Sequence, residues 1–497
     1  MRRSTSWSRA SSGELIVLVV LLAGCVTREA RAPSSAKPVT LFFTSEVRGY
    51  IGPCGCSENM RGGVSRAAFQ VAEARKTGGP AHLVDCGDGL FGDAVIPEEA
   101  VAQQERKAKA LADAWKAMGL TLRTAGPLDD ARGVPFHEAL GLPELKSGTF
   151  KVLDGVAIVS APTLAAAAAL VPQATKEGAR FVVAVVPAPY EQLLREAMDV
   201  RGIGLVVSSK SRDAFAAEQN RLAGGVTKVA QVQSKGRSLL KVSVNLRTDG
   251  GVEWLRGDGE RDRELYALDE RVELVRGQVN EPMLSDEMKA LRKAKLEELI
   301  ARREALAATP VVVPNDRSTV TARFVPLEST FPKDPAVQVF EKAYDVDVGL
   351  LNLAYAKEKG VSCPPATEEK PGFVGTAACA KCHGDAETVW KTTRHPRAYA
   401  SLQVVGKENH LDCVGCHVTG WKQPQGVCRI DETEGRREVS CESCHGPGSA
   451  HVVAPLKTGV LKKPDASTCV VCHDRENSPQ FDFDAYRAKI VGKGHGG

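Results

Sequence analysis

The pentapeptide Cys379-Ala-Lys-Cys382-His383 is the first of four with one pattern, and the others are Cys413-Val-Gly-Cys416-His417, Cys441-Glu-Ser-Cys444-His445 and Cys469-Val-Val-Cys472-His473. Two thiols at this spacing can form thioether bonds to both vinyl groups of one haem, and the histidine that follows reaches the iron as proximal ligand. Zinc ribbons and redox dithiols also use Cys-x-x-Cys, but they do not need a histidine after every copy. The motifs predict four covalently bound haem c groups.

Four further histidines lie in the same region: His395, His410, His451 and His495. Their number equals the number of sixth positions on four haem irons, and the rest of the chain has only His82 and His137. We therefore predict all four as distal iron ligands. Histidines on both sides of every iron indicate an electron carrier, whereas an open position indicates a possible catalyst.

The first 25 residues read as an export signal. Arg2, Arg3 and Arg9 precede an apolar stretch from Leu15 to Leu22, which is too short to span a membrane. The ending Leu22-Ala-Gly-Cys25 resembles a bacterial lipobox, which implies cleavage before Cys25 and lipidation of its thiol. Residues 26–38 are then a tether. Lipoproteins kept at the inner membrane usually have aspartate after the lipidated cysteine, so Val26 would place the protein at the outer membrane, facing the periplasm or the cell surface. A secretory signal followed by a free cysteine is the alternative.

Charge and composition limit the partners. The formal net charge is +4 with 43% hydrophobic residues, and no run of lysine and arginine suggests nucleic-acid binding. The expected partners are an electron donor, an electron acceptor and a membrane surface reached through the lipid anchor.

Residues 39–256 read as an α/β layered domain. Short apolar runs alternate with helical patterns: 39–44, 82–85, 152–160, 181–186 and 204–208 as strands, and 67–76, 98–118 and 190–200 as helices. The runs 226–232 and 238–246 predict an antiparallel pair.

Residues 257–359 read as a helical connector. A seven-residue repeat from Leu265 to Val279 and a second helix over 285–307 predict either a hairpin within the chain or a coiled-coil oligomer. Residues 310–332 look extended, and 335–359 form a last helix. A linker at 360–372 precedes a mostly α and irregular multihaem domain at 373–497, where porphyrins supply the apolar volume that the side chains lack.

Two stretches of the last domain resemble tetrahaem cytochromes of the family that includes the electron acceptor of hydroxylamine oxidoreductase. They are Phe373 to His383 with Trp390 and Arg394-His395-Pro396, and Cys441 to His451. The resemblance implies that His395 is a distal ligand of another haem and that His451 is the distal ligand of the following haem. One haem in that family is five-coordinate.

The α/β region resembles bacterial 5′-nucleotidases, which are calcineurin-like metallophosphoesterases. The likeness rests on 44–49, 62–66, 83–89 and 226–250. The family binds two metal ions, and this chain departs from its ligand motifs: it has Glu46 and Arg48 for Asp and His, Gly126-Pro-Leu-Asp129 for Gly-Asn-His-Glu, and Ser208-Ser-Lys-Ser211 near the last motif. Only Gly87-Asp88 remains, so we expect the fold to be kept and hydrolysis to be lost.

The leading function is therefore periplasm-facing electron transfer, with the α/β domain as a binding or docking module. The alternatives are a haem enzyme acting on a small nitrogen or sulfur oxyanion, and a 5′-nucleotidase-like hydrolase. Among the other cysteines, Cys86 is expected to pair with Cys54 or Cys56, or to join them in a thiolate metal site. Cys363 and Cys428 are left unassigned.

Overall fold

The computed structural model describes residues 38–53, 60–210, 218–247, 251–255, 261, 264–265, 267–268, 271–272, 274–275, 278, 285–308, 313–314, 316–429, 431, 434–458, 462–474, 477–478 and 481–495. The predicted signal with Cys25, nearly all of the tether, and Cys54 and Cys56 lie outside these residues. Within the described part, no helix is long and apolar enough to cross a membrane.

The first sheet has six strands in the order β11-β12-β10-β1-β2-β3. They are β1 (Val39–Thr44), β2 (Ala81–Asp85), β3 (Leu120–Arg123), β10 (Ser238–Asn245), β11 (Val252–Trp254) and β12 (Ser318–Pro326). Strand β2 runs parallel to both β1 and β3, so the carboxyl ends of these three strands share one edge. The loops after Thr44, Asp85 and Arg123 therefore meet there.

The second sheet also has six strands, in the order β4-β5-β6-β7-β9-β8. They are β4 (Thr149–Leu153), β5 (Val156–Ser160), β6 (Phe181–Val186), β7 (Leu205–Ser208), β8 (Gln219–Ala223) and β9 (Thr227–Gln231). Residues 152–160, predicted as one strand, are a hairpin. Asp154 and Gly155 turn it with φ of 49° and 82°, as two-residue hairpin turns require.

Apolar side chains on both faces of the strands arrange the domain in four layers. Leu41 and Phe43 pack against Ile158 of the second sheet, whereas Phe42 between them faces the opposite side, because successive side chains of a strand point to opposite faces. The outer faces are covered by helices, among them α1 (Val64–Lys76), α2 (Val101–Ala117), α3 (Val134–Ala139), α4 (Leu164–Lys176), α5 (Tyr190–Glu196) and α7 (Pro335–Glu358). This confirms the α/β layered fold class.

The predicted helix pair packs within the chain. Leu268 and Val272 bury their side chains against Leu299 of α6 (Asp286–Ala308). An ion pair of 2.6 Å joins Arg302 of α6 to Glu264. The seven-residue repeat is therefore used by a hairpin inside one chain.

The predicted pairing of residues 226–232 with 238–246 is wrong. Strand β9 pairs with β7 and β8 in the second sheet, whereas β10 pairs with β1 and β12 in the first. Both strands are almost wholly buried, and the chain crosses from one sheet to the other around Lys235 and Gly236, which have φ of 62° and 61°. Burial between two sheets gives the same apolar pattern as a hairpin does.

Two elements of the predicted connector belong to the first sheet and its helical layer. Strand β12 lies between β10 and β11. Helix α7 buries Val337, Tyr344 and Val348 in the core that it shares with α1 and α2. The α/β unit therefore extends well beyond residue 256, and the hairpin is an insertion in it.

The last region consists of short helices: α8 (Thr376–Ala380), α9 (Gly384–Thr392), α10 (Ala398–Val404), α11 (Leu411–His417), α12 (Cys441–His445), α13 (Ser449–Val453), α14 (Pro455–Thr458), α15 (Ala466–Cys469) and α16 (Phe483–Arg487). Its apolar cluster, among the described residues, consists of Tyr399, Val414, Val418 and Val427 with Trp421 beside them. A core of this size is small for such a region, so further apolar volume is needed to stabilise it.

Candidate haem-binding region and the polar edge of the first sheet

Two pairs of histidines face each other across the haem region. The ring centres of His383 and His451 are 6.3 Å apart with a 28° angle between the planes, and those of His395 and His473 are also 6.3 Å apart, at 51°. Two imidazoles bound to opposite sides of one metal, with metal–nitrogen bonds of about 2 Å, have ring centres roughly 6 Å apart. The pairs therefore fit a haem iron between two axial ligands.

The partners of His451 and His395 assign each to a motif. His395 faces His473 of the fourth motif, and its role as a distal ligand of another haem stays a prediction. His451 faces His383 of the first motif, not the fourth motif that follows it. The resemblance assigned His451 to the following haem; its ring lies beside that of His383 here, and which haem it serves stays a prediction.

Hydrogen bonds at Nδ1 orient four of the histidines. The Nδ1–H of His417 donates to the Ala398 carbonyl at 2.6 Å, and that of His445 donates to the Lys462 carbonyl at 3.1 Å. Hydroxyl oxygens of Thr458 and Ser478 lie 3.2 Å from Nδ1 of His451 and His473. A carbonyl that accepts a hydrogen bond from Nδ1–H fixes the proton on Nδ1. The lone pair of Nε2 is then free to bind a metal, which is the arrangement that metal-binding histidines use.

The motif cysteines lie next to one another in two sets. The thiol of Cys441 hydrogen-bonds that of Cys379, which lowers the pKa of Cys441 to about 7 and raises the pKa of Cys379. The Cys416 thiol likewise shares a hydrogen bond with the Cys472 thiol, which lowers the pKa of Cys416 to about 7. The first motif is thus a neighbour of the third, and the second of the fourth.

His410 lies between the haem region and the α/β unit. Its side chain is 3% exposed, its Nε2–H donates to the Asp345 carbonyl at 3.0 Å, and its ring meets Tyr344 edge to face. Burial lowers the pKa of His410. Nε2 of His410 faces a backbone oxygen of α7 in this structure, and its role as an iron ligand stays a prediction.

Neighbouring contacts hold the chain on both sides of His410. Lys107 of α2 forms an ion pair of 2.7 Å with Asp412, and the side-chain Oε1 of Gln103 accepts from the backbone N–H of Leu411. Asn352 of α7 donates to the Asn409 carbonyl at 2.8 Å. Burial raises the pKa of Asp412, but the Lys107 ammonium holds it below its ordinary value. Helices α2 and α7 thus grip the segment that leads into the second motif.

His495 lies near the end of the described chain, where we expected a glycine-rich tail. The glycines beside it contact α9: a Cβ on Gly494 would stand 2.6 Å from the Ala386 nitrogen, and one on Gly492 would stand 3.0 Å from Val389. The Nδ1 of His495 is buried and has no hydrogen-bond partner among the described residues. Its role as an iron ligand stays a prediction.

Cys363 and Cys428 form a disulfide, with Cα atoms 5.3 Å apart. The sequence left both unassigned, although each is a cysteine outside the haem motifs in a chain with a predicted export signal, and an oxidising compartment favours pairing. The bond ties the linker to the loop that follows Trp421. Cys86 is buried, and burial raises the pKa of its thiol. Its expected partners lie outside the described residues, so that pairing stays a prediction.

The polar edge of the first sheet, where β1, β2 and β3 end, carries buried carboxylates. Asp85 and Asp129 are fully buried, and Asp88 is 8% exposed. The Asp129 carboxylate accepts hydrogen bonds from the backbone N–H groups of Asp88, Gly89, Leu90 and Gly126 at 2.8–3.0 Å. Burial raises the pKa of Asp85 to about 8 and that of Asp88 to about 6.

An arginine supplies the positive charge at this edge. The Arg123 guanidinium is fully buried, 2.7 Å from Asp129 and 3.8 Å from Asp85. Glu46 is paired internally with Arg48 at 2.7 Å. The described residues contain no group of three or more His, Cys, Asp or Glu side chains that could hold a metal ion. Sequence reasoning missed Arg123, whose only signal is an arginine at the end of a buried strand.

The segment Ser208-Ser-Lys-Ser211, near the last motif of the resemblance, adds no buried charge among the described residues. Ser208 ends β7, and its hydroxyl donates to the Ala188 carbonyl at 2.7 Å. Ser211 lies outside the described residues. The edge thus has an internal cation in place of metal ligands.

Comparison with known proteins bears on the haem region. Residues 378–446 match the family described as cytochrome c554 and c-prime. Cytochrome c-554 of Nitrosomonas europaea is 37% identical over 91 residues, which is 15% of this chain and 39% of that protein. This segment is therefore cytochrome c554-like, and such a segment implies covalently bound haem c. The chain spans well under two thirds of that relative.

Solved structures resemble the larger part of the chain. Sulfate thiohydrolase SoxB of Thermus thermophilus covers 68% of this chain, and the chain covers 64% of it, with 14% identity and a TM-score of 0.40. A 5′-nucleotidase precursor of Thermus thermophilus covers 69% with 13% identity and a TM-score of 0.38. An NAD nucleotidase of Haemophilus influenzae has a TM-score of 0.33, and the chain covers 52% of it.

Proposed function

We propose that this chain is an exported electron-transfer protein with four haem c groups. In it, the eight motif cysteines form the thioethers, and His383, His417, His445 and His473 are the proximal ligands. The observation that carries the proposal is the two histidine pairs with ring centres 6.3 Å apart. Each haem supplies one-electron chemistry at its iron.

Paired histidines suit electron transfer without ligand exchange. His383 with His451, and His395 with His473, would each hold one haem iron. The Nδ1 hydrogen bonds of His451 and His473 fix both rings, so little rearrangement accompanies a change of charge on the iron. The adjacency of the first motif to the third, and of the second to the fourth, supports transfer between neighbouring haems.

The α/β unit serves as a docking module in this proposal. Its polar edge holds Arg123 between Asp85 and Asp129, which leaves no set of metal ligands for hydrolysis among the described residues. Helices α2 and α7 hold the segment before the second motif instead. The module thus fixes the haem region to the rest of the protein.

The proposed location is the periplasm or the cell surface, with a lipid anchor on Cys25 in the outer membrane. The Cys363–Cys428 disulfide supports an oxidising compartment. The expected partners are a redox protein that donates electrons and one that accepts them.

Haem content and spin state of the purified holoprotein test the proposal. We expect four haems per chain that resist acid–acetone extraction, and low-spin electron paramagnetic resonance signals from at least two of them. A Cys413→Ala, Cys416→Ala double variant should retain three covalent haems. Extractable haem, or the same haem content in the double variant and the wild type, would overturn the proposal.

The placement of His410 favours a second candidate, a haem enzyme acting on a small nitrogen or sulfur oxyanion. If Nε2 of His410 keeps its hydrogen bond to the Asp345 carbonyl, one of the four irons would have an open sixth position. Binding of carbon monoxide to the reduced wild-type protein, together with turnover of nitrite or sulfite, would support the enzyme. Four low-spin irons that bind no carbon monoxide would exclude it.

A further inference from the structure

Glu442 is a buried carboxylate inside a haem motif, between Cys441 and Cys444. It is 2% exposed. Its oxygens accept hydrogen bonds from the backbone N–H groups of Val374 at 2.9 and 3.0 Å, of Gly375 at 2.7 Å and of Gly448 at 2.7 Å. Position x of a Cys-x-x-Cys-His motif has no required chemistry, so the sequence alone did not single this residue out.

The donors come from two separate segments. Val374 and Gly375 lead into α8, which carries Cys379 of the first motif, and Gly448 leads into α13, which carries His451. One carboxylate therefore fixes the third motif against both the cysteine side and the distal-ligand side of the first. A Cβ on Gly448 would stand 3.1 Å from Oε1 of Glu442, so the close approach depends on glycine.

The negative charge of Glu442 is held by neutral groups. The hydrogen bonds that its side chain makes in the described residues all come from backbone N–H groups. Such bonds stabilise a carboxylate without cancelling its charge, and in a low-dielectric interior the charge acts over a longer distance than at the surface. Glu442 belongs to the third motif, and the contact between Cys379 and Cys441 brings the first motif next to the third.

We infer that Glu442 sets the reduction potentials of the haems at the first and third motifs and positions their axial ligands. This inference rests on the proposed function. Reduction adds one electron to each ferric iron and forms or breaks no bond, so the ferric state carries one more positive charge than the ferrous state. A buried carboxylate stabilises the ferric state more and therefore lowers the potential.

Spectroelectrochemical titration of the holoprotein tests the inference. Glu442→Gln keeps the shape of the side chain and removes its charge, and we expect two of the four potentials to shift upward while the haems stay low-spin. The matched control is Glu369→Gln, which removes a carboxylate at an exposed position of the linker before the first motif. Its potentials should equal those of the wild type.

Glu442→Asp keeps the charge and shortens the side chain, so wild-type potentials in this variant support the inference even if the Gln variant fails to incorporate four haems. Unchanged potentials in Glu442→Gln, or potentials displaced as far in Glu442→Asp as in Glu442→Gln, overturn it. Each of these results that overturn the inference is read from protein that still carries covalent haem. Failure of the proposed function would instead appear as loss of covalent haem in the wild type.

Discussion

The imidazoles of His383 and His451 lie 28° from parallel with their centres 6.3 Å apart, although His451 follows the third motif in the sequence. The first haem would therefore receive its distal ligand from beyond the third motif. This relationship makes the spin state of one haem depend on a residue far from its own pentapeptide.

His451→Ala should convert one haem to high spin and let its reduced iron bind carbon monoxide, because the ligand opposite His383 is removed. His395→Ala should do the same for the haem at His473. Electron paramagnetic resonance and carbon monoxide difference spectra measure both. His82→Ala, in the α/β unit, is the control. Low-spin spectra in both haem-region variants would show that the distal ligands are other residues.

His410→Ala should leave the haem spin states as they are and destabilise the contact between the haem region and α7. Removing the buried ring takes away its hydrogen bond to the Asp345 carbonyl and its packing against Tyr344, at a cost of about 1–3 kcal/mol in unfolding free energy. Thermal unfolding and spin state are measured on the same sample. A new high-spin haem in this variant would show that His410 is an iron ligand in the wild type.

Asp88 should make stability fall as the pH rises. Its pKa is raised by burial to about 6 from 3.8, so between these values the folded state holds the proton more tightly. The stabilisation is fully present below about pH 4 and is lost as the pH passes about 6, by up to roughly 3 kcal/mol. Urea unfolding at several pH values should show the full slope in the wild type and in Asp93→Asn, and a shallower slope in Asp88→Asn, where the raised pKa of Asp85 still contributes. The same slope in all three would refute the assignment.

Arg123→Leu should destabilise the α/β unit by about 3–5 kcal/mol, because Asp85 and Asp129 would lose the buried cation between them. Arg221→Leu, at an exposed position of β8, should change the unfolding free energy little. Chemical denaturation followed by circular dichroism compares the two. Equal stabilities would mean that the guanidinium does not compensate these carboxylates.

No metal-dependent phosphate release from nucleotides is expected, because the described residues hold no group of three or more His, Cys, Asp or Glu side chains that could bind a metal ion. A phosphate assay with added manganese measures this. Turnover that responds to manganese and disappears in Asp88→Ala would contradict it.

The layered fold was predictable where strand and helix patterns are simple. Short apolar runs bounded by turns located β1, β2, β6 and β7 because such patterns report burial directly. The same patterns carry no information on which sheet a buried strand joins, so β9 and β10 were paired wrongly. Strand β12 was predicted only as extended chain, since its place in the first sheet is set by contacts with β10.

At the candidate site, covalent chemistry was predictable and three-dimensional pairing was not. Cys-x-x-Cys-His fixes which residues can attach haem, because that spacing is local. The partners of His451 and His410 depend on how α13 and α7 fold back. Arg123 and Glu442 were missed because their importance comes from burial beside charged or polar groups, which no local pattern reports.

The Cys363–Cys428 disulfide has a consequence for how the protein is assembled. It links residues with a sequence separation of 65, and Cys379, Cys382, Cys413 and Cys416 lie between them. Attaching the first two haems requires these four thiols to be reduced, while the two that bracket them must be oxidised. If the protein is exported and carries these haems as proposed, its assembly needs reductant and oxidant at neighbouring cysteines, since premature oxidation of any of the four thiols would cost the finished protein a haem.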